Sequence, residues 1–225
     1  MSAIFNFYKI FLSFILLTFS FYINYHFANK GLYPIDTFSF FDAGFYITEG
    51  QHPIKDFWII SGVFIDYVQA AFFTLFGKNW NAYVYHASFF NSLITIFFFF
   101  FLNQFNKNLL FNFFLSISVA ILCYPVVGTP FPYQHSFIIS LISLFVFYLG
   151  VEKKNNIYWT ILPILMSLSF LSMQVPSGFI NLLIIIFLII YYFFFDKYFL
   201  KYFLKGSLIS VILFILYLLI IKVEI

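Results

Sequence analysis

Carboxylates are the residues of this chain whose spacing could support chemistry, because four of its eight acids fall within one short stretch. That stretch, PIDTFSFFDAGFYITEGQHPIKDFW at residues 34–58, contains Asp36, Asp42, Glu49 and Asp56. A positioned carboxylate can take a proton from an attacking group, and it can bind a cation. Aspartate is also among the best helix N-cap residues, so capping and catalysis are both open for Asp36 and are compatible with each other.

The chain that must position these acids has the composition of an integral membrane protein. It is 64% hydrophobic and 8% charged, with 40 phenylalanines and a mean hydropathy of +1.00. Soluble domains are about half apolar and about a quarter charged. Backbone groups in a bilayer must bond internally, and the long apolar runs lack the alternation of barrel strands. The predicted fold class is therefore all-α and polytopic, with a single transmembrane domain over residues 1–225.

Seven apolar runs have about the length that a membrane crossing needs, at residues 8–27, 83–102, 109–127, 136–150, 157–173, 178–195 and 206–221. An eighth run, 58–77, contains Asp66, and a carboxylate at the centre of a span costs about 2.5–3.5 kcal/mol on insertion scales. Ser61 and Gly62 interrupt the same run. An interfacial helix would accommodate these residues and Gln69 without penalty, so we predict that 58–77 lies along the membrane surface.

Lysine positions orient the spans, because cytoplasmic loops are enriched in Lys and Arg. If 58–77 crosses and the N-terminus is inside, three of the eleven lysines are cytoplasmic. Eight spans with the N-terminus outside place eight lysines inside, so charge alone leaves that arrangement open. We predict seven spans with the N-terminus inside, which puts residues 28–82 in one extracytoplasmic loop. Seven lysines are then cytoplasmic: Lys9, Lys107, Lys153, Lys154, Lys197, Lys201 and Lys205.

Two juxtamembrane helices are predicted within this loop, at about 37–49 and 61–77. Along the first, polar and apolar residues recur at helical spacing on different sides. The polar side has Ser39, Asp42, Tyr46 and Glu49, and the apolar row has Phe38, Phe41 and Phe45. Asp42 and Glu49 are therefore expected to be solvated, with Asp36 at or near the start of the helix.

This layout resembles that of GT-C-type glycosyltransferases, which move a sugar from a polyprenyl-phosphate donor onto an acceptor at the outer membrane face. The likeness rests on an acid soon after the first span, an amphipathic helix, a glycine, the P-x-x-D-F turn at 53–57 and an apolar helix ending in LFG. Protein mannosyltransferases and lipid A aminoarabinose transferases are the most similar branches. The layout of the chain resembles their N-terminal seven-span core. Likeness at the level of individual residues is limited to about residues 31–100 of this chain.

The resemblance implies roles for five residues. Asp36 matches the catalytic acid, a general base that takes the acceptor's proton during an inverting displacement. Asp56 would bind substrate near the donor phosphate or a bound cation, unless it is only a turn acid. Gln134 and His135 in the second outer loop, and Gln174 in the third, would also bind substrate. A hydrogen-bonded interfacial histidine is the structural alternative for His135.

The resemblance also implies partners and a location. The expected partners are a lipid-linked sugar donor, membrane lipid and a partner subunit that supplies the C-terminal part found in family members. The expected location is the bacterial inner (plasma) membrane. No cofactor is definite, although a divalent cation fits the chemistry, and no residue is assigned as a metal ligand.

Two departures from the family keep other functions open. Gln174 stands near a position where relatives often carry lysine, and Ser61-Gly62 stands where aminoarabinose transferases have Lys-Pro. A neutral side chain does not pair with phosphate as a cation does. These departures favour a non-catalytic membrane subunit of the same fold. Transport of a small solute or lipid is a further alternative, although the spans lack the charges that transporters usually place at the midplane.

Several function classes lack support in the sequence. The formal charge of +3 is too small to indicate nucleic-acid binding. No P-loop, C-x-x-C or H-E-x-x-H motif occurs, so ATPase, redox and zinc-protease functions are not indicated. His86, Asn91 and Asn181, which lie in the predicted spans, are expected to hold helices together rather than to react.

Overall fold

The computed structural model describes residues 2–31, 37–59, 61–123 and 128–222, with side chains from residue 7 onward. Within these ranges the chain forms α-helices and no β-strand, which confirms the predicted all-α fold of a polytopic membrane protein. The helices are α1 Ser2–Ala28, α2 Ser39–Thr48, α3 Val63–Phe76, α4 Trp80–Phe105, α5 Leu109–Leu122, α6 Pro132–Lys153, α7 Asn156–Ser172, α8 Gln174–Phe194 and α9 Phe199–Ile220.

Five of the described helices, α1, α4, α6, α8 and α9, are long and apolar enough to cross a membrane. They correspond to five of the seven predicted spans. The other two correspond to α5 and α7, which have 14 and 17 residues. At a rise of 1.5 Å per residue these helices are about 21 and 25 Å long, shorter than the ~30 Å hydrocarbon core. The last four residues of the predicted span 109–127 lie outside the described residues.

The chain divides into two compact units. The first contains Met1–Phe45 and Val68–Gln134, and the second contains Tyr46–Tyr67 and His135–Ile225. In each unit, the helix contacts depend on small and polar residues that let backbones approach and bond across helices, as is typical of membrane proteins.

In the first unit, amide and hydroxyl side chains join α1, α4 and α5. Asn91 of α4 donates from Nδ2 to the carbonyl oxygens of Ser20 and Ala120, at 2.9 Å each. Asn24 of α1 donates to Ser88 Oγ at 3.0 Å. The prediction that Asn91 holds helices together is confirmed.

In the second unit, α9 packs against α7 at a glycine. A Cβ on Gly206 would lie 2.0 Å from the carbonyl oxygen of Thr160, so a larger residue would force the two helices apart. Asn181 of α8 donates from Nδ2 to the carbonyl oxygen of Met166 in α7 at 3.0 Å, which confirms its predicted role in joining helices.

Contacts at helix ends bear on the prediction that segment 58–77 does not cross the membrane. In the first unit, Trp80 Nε1 at the start of α4 donates to Asn29 Oδ1 just after α1, at 3.1 Å. In the second unit, the Gly62 N–H donates to the carbonyl oxygen of Ser172 at 3.1 Å. Both eight-span arrangements would place the members of each pair on opposite faces, about 30 Å apart. These contacts agree with the seven-span arrangement, in which 58–77 does not cross.

The bounds of α2 and α3 are close to those predicted for the two juxtamembrane helices, 37–49 and 61–77. Asp42 and Glu49 are exposed, as expected of solvated acids. The buried face of α2 is Phe40, Ala43 and Gly44, which is not the apolar row that helical spacing predicted. The face differs because α2 packs against neighbouring protein, where Gly44 lies close to Gln69 and Phe40 lies against Phe131.

The expectation that a surface helix would accommodate the polar residues of α3 without penalty is wrong. Asp66 is 3% exposed and Gln69 is fully buried. Gln69 is satisfied in part by His86, whose Nδ1 lies 2.9 Å from Gln69 Oε1. A Cβ on Gly44 would lie 2.6 Å from Gln69 Cγ, so α2 covers this side chain closely. The polar residues of α3 are thus buried by protein, whereas Leu75 and Phe76 at its C-terminal end are exposed.

Candidate functional site

Asp36, the predicted general base, lies outside the described residues. The candidate site is therefore built from the other predicted residues and from the side chains that the fold brings to them. Asp56, His135 and Gln174 belong to the second unit, whereas Gln134 belongs to the first.

Asp56 closes a tight turn. Its Oδ2 accepts the His52 N–H at 2.8 Å, and its own N–H donates to the His52 carbonyl oxygen at 2.8 Å. The Ile54 N–H donates to the Phe57 carbonyl oxygen at 3.2 Å, which folds residues 52–57 into a compact turn. Asp56 is therefore a turn acid, which is the structural alternative that the sequence left open. Its carboxylate is exposed, and one backbone bond leaves lone pairs free for a ligand.

Two tyrosines hold this turn from different helices of the second unit. Tyr67 of α3 places its hydroxyl 2.9 Å from His52 Nδ1, and the two rings stack with centroids 6.2 Å apart. Tyr217 of α9 donates to the Pro53 carbonyl oxygen at 3.4 Å. The two tyrosine rings also pack edge to face against each other, with centroids 5.4 Å apart. We call Tyr67 and Tyr217 the tyrosine clasp.

Asp66, next to Tyr67 on α3, is a buried carboxyl group. Its burial raises its pKa from the ordinary value of 3.8 to about 7, because the ionised form loses its hydration. Among the described residues, no hydrogen bond to the Asp66 carboxyl group offsets this loss of hydration. Burial also raises the pKa of Tyr67, and its bond to Tyr217 opposes this; the charges of Asp66 and Asp56 raise it further.

Backbone and hydroxyl bonds join the three predicted outer loops within the second unit. Ser136 Oγ, in the first turn of α6, donates to the carbonyl oxygen of Met173 at 3.0 Å. The Gly62 N–H reaches the neighbouring Ser172 carbonyl. His135 and Gln174, the predicted substrate-binding residues, directly flank the Ser136–Met173 bond. His135 is fully buried, whereas Gln174 is exposed at the start of α8.

Gly62 has a structural reason to be glycine. A Cβ at this position would lie 1.8 Å from the Leu171 carbonyl oxygen, so any other residue would move the two segments apart. The Ser61-Gly62 pair therefore packs against the end of α7 at the position where aminoarabinose transferases carry Lys-Pro.

Gln134 also has a structural use. In the first unit its Nε2 donates to the carbonyl oxygen of Cys123, the C-cap residue of α5. This bond satisfies one of the carbonyl groups that the end of a helix leaves without a partner. The side chain is half-buried, and its amide oxygen is the part that remains for a substrate.

A metal site is not apparent among the residues that the structure describes. No group of three or more His, Cys, Asp or Glu side chains is placed there to hold an ion. Asp56 alone is a single carboxylate ligand, whereas protein-bound divalent cations of the calcium and magnesium type use several oxygens.

Sequence reasoning missed the tyrosine clasp and the burial of Asp66. His52, Tyr67 and Tyr217 have no motif, because they meet only when α3, α9 and the turn are packed. Asp66 did have a signal, since it is a lone carboxylate within an apolar run. Such an acid lies either at a surface or inside the protein, and the cost of inserting a carboxylate into the membrane favoured a surface position.

In comparisons with known proteins, no family model, no curated protein and no solved structure matches this chain. Function is therefore inferred from the residues and from the geometry of the site.

Proposed function

We propose that this protein is a GT-C-type membrane glycosyltransferase that transfers a sugar from a polyprenyl-phosphate donor to an acceptor at the extracytoplasmic face. One observation carries the proposal. In the first unit, Asn29 and Trp80 at the two ends of the acid-rich segment 28–82 share a hydrogen bond, and within the second unit a turn of the same segment presents an exposed carboxylate. A membrane protein with charge-poor spans and carboxylates gathered at one face suits chemistry at that face. A bacterial inner (plasma) membrane is the location that such a donor implies.

In the proposed reaction Asp36 is the general base. It takes the proton of the acceptor hydroxyl as the acceptor oxygen bonds to the anomeric carbon, and the bond from that carbon to the donor phosphate breaks. The polyprenyl phosphate leaves as a stable anion, so it needs little help from an acid. A single displacement inverts the anomeric centre and needs no nucleophilic carboxylate.

Asp56 would orient the donor. An exposed carboxylate on a tight turn can accept hydrogen bonds from sugar hydroxyls, and hydrogen bonds to charged groups are stronger than neutral ones. His135 and Gln174 flank the bond that joins the second and third loops, so a donor bound at these loops would meet both segments. The exposed side chain of Gln174 would then contact the phosphate or the sugar, whereas His135 is buried behind this surface and would contact the donor only after a local rearrangement.

A non-catalytic membrane subunit is the second candidate, and one observation favours it. Gly62 serves close packing against Leu171, and Gln174 is neutral, so the described residues supply no lysine at either family position. Such a subunit would keep the fold and the outer loops, and a partner subunit would supply the turnover.

The experiment that tests the proposal is the release of polyprenyl phosphate by purified protein from a panel of lipid-linked sugars. We expect release from at least one donor, with inversion at the anomeric carbon of the product. A folded, monodisperse preparation that releases polyprenyl phosphate from none of the donors would contradict the glycosyltransferase proposal and favour the non-catalytic subunit.

A further inference from the structure

The turn at residues 52–57 is held by side chains that lie far away in the sequence. Its internal bonds join His52 to Asp56 and Ile54 to Phe57. Ile54 adopts a φ of 76°, a left-handed conformation that β-branched residues rarely adopt. Such a backbone persists only where its surroundings determine it, so the restraint must come from outside the turn.

The tyrosine clasp supplies that restraint at two adjacent residues. Tyr67 bonds the His52 side chain, and Tyr217 bonds the Pro53 carbonyl oxygen. His52 is also the residue whose backbone N–H binds the Asp56 carboxylate. The tyrosine clasp thus holds the two residues at the start of the turn, and one of them, His52, binds the carboxylate of Asp56 through its backbone N–H.

We propose that Tyr67 and Tyr217 are positioning residues, whose hydroxyl groups fix the 52–57 turn and thereby the direction in which Asp56 presents its carboxylate. The use of that carboxylate for a sugar donor rests on the proposed function, whereas the restraint of the turn does not. The two aromatic rings also pack edge to face against each other, with centroids 5.4 Å apart. Loss of either hydroxyl should therefore release the turn, although both aromatic rings remain packed.

Hydrogen exchange tests the restraint without any need for activity. Mass spectrometry of the purified full chain would follow the peptide that covers residues 51–58, which includes the bonded amides of His52, Ile54 and Asp56. In Tyr67→Phe and in Tyr217→Phe, exchange of this peptide should rise by roughly 2- to 10-fold, which is the usual worth of one hydrogen bond. Exchange elsewhere in the chain should stay as in the wild type.

Tyr202→Phe is the matched control. Its hydroxyl forms a hydrogen bond with that of Tyr198 at 2.7 Å, in an exposed pair of residues outside the turn. The variant therefore also removes a tyrosine hydroxyl and its hydrogen bond. We expect no change in the 51–58 peptide. If Tyr67→Phe and Tyr217→Phe leave this peptide unchanged as well, the restraint is refuted.

Kinetics with the lipid-linked donor test whether the restrained turn contributes to donor binding. Tyr67→Phe should raise KM for the lipid-linked donor more than it lowers kcat, as Asp56→Asn should. In the Asp56→Asn background, Tyr67→Phe should have little further effect, because both changes remove the same contact. Faster exchange with unchanged donor kinetics, or fully additive effects in the double variant, would overturn the positioning role. A wild type without activity but with faster exchange in the variants would overturn the proposed function and leave the restraint standing.

Discussion

The buried carboxyl group of Asp66 predicts a dependence of stability on pH that one substitution should remove. Its pKa is about 7 in the folded protein and near 3.8 when exposed. Between these values the unfolded chain has lost the proton while the folded chain keeps it. Stability contributed by this group therefore falls as pH rises through that window, and it is constant above about pH 7.

The size of the effect follows from the two pKa values. Each pKa unit is worth 1.36 kcal/mol, so the full window amounts to about 4 kcal/mol and the part between pH 5 and pH 7 to about 3 kcal/mol. Asn at position 66 is neutral at every pH and similar in size. Asp66→Asn should therefore unfold with a weaker pH dependence and should be more stable than the wild type at pH 8.

Thermal unfolding in detergent at pH 5 and pH 8 is the assay. For a chain of this size, 1 kcal/mol corresponds to about 2–4 °C in Tm, so the wild type should lose roughly 6–12 °C relative to Asp66→Asn across this range. Asp42→Asn, which changes an exposed acid of α2, is the matched control and should behave as the wild type. If Asp66→Asn shows the same pH dependence as the wild type, Asp66 is ionised in the folded protein and its burial has been misjudged.

Two further predictions concern the course of the chain. On a cysteine-free background, cysteines at Asn29 and Asn79 should react with an impermeant thiol reagent from the same side, and one at Lys154 should not. Labelling of Asn29 and Asn79 from opposite sides would show that the segment between them crosses. Gly62→Ala should lower stability by about 1–3 kcal/mol in thermal unfolding, because its Cβ meets the Leu171 carbonyl oxygen. Gly178→Ala should leave stability unchanged, because a Cβ at Gly178 would meet no atom within 4 Å. Equal losses of stability in the two variants would contradict the close approach of Gly62 to Leu171.

Hydropathy was enough to predict the helical fold, because each span must supply its own backbone hydrogen bonds and a long run of apolar residues. The cost of placing Asp66 in a span also led to the prediction that 58–77 does not cross, and the contacts at the ends of this segment agree with it. The same reasoning could not predict where α3 lies instead. Asp66 and Gln69 are buried by protein, and that burial depends on how distant residues such as His86 and Tyr217 pack.

The candidate site was predictable only where its residues are local in sequence. The P-x-x-D-F pattern contains the turn that Asp56 closes, and the bond to His52 spans four residues. The tyrosine clasp joins residues 15 and 164 positions apart, and no periodicity or motif announces such contacts. The predicted role of Asp36 stays a prediction.

The most direct test of the proposed activity is sugar transfer by Asp36→Asn compared with the wild type and with Asp42→Asn. Asn caps a helix about as well as Asp but cannot accept the proton of an attacking hydroxyl. We expect Asp36→Asn to stay folded and membrane-inserted while the rate of transfer falls by roughly 10²–10⁴-fold, the usual worth of a general base. Asp42→Asn should keep nearly the wild-type rate. Equal rates for the wild type and Asp36→Asn would contradict the catalytic assignment.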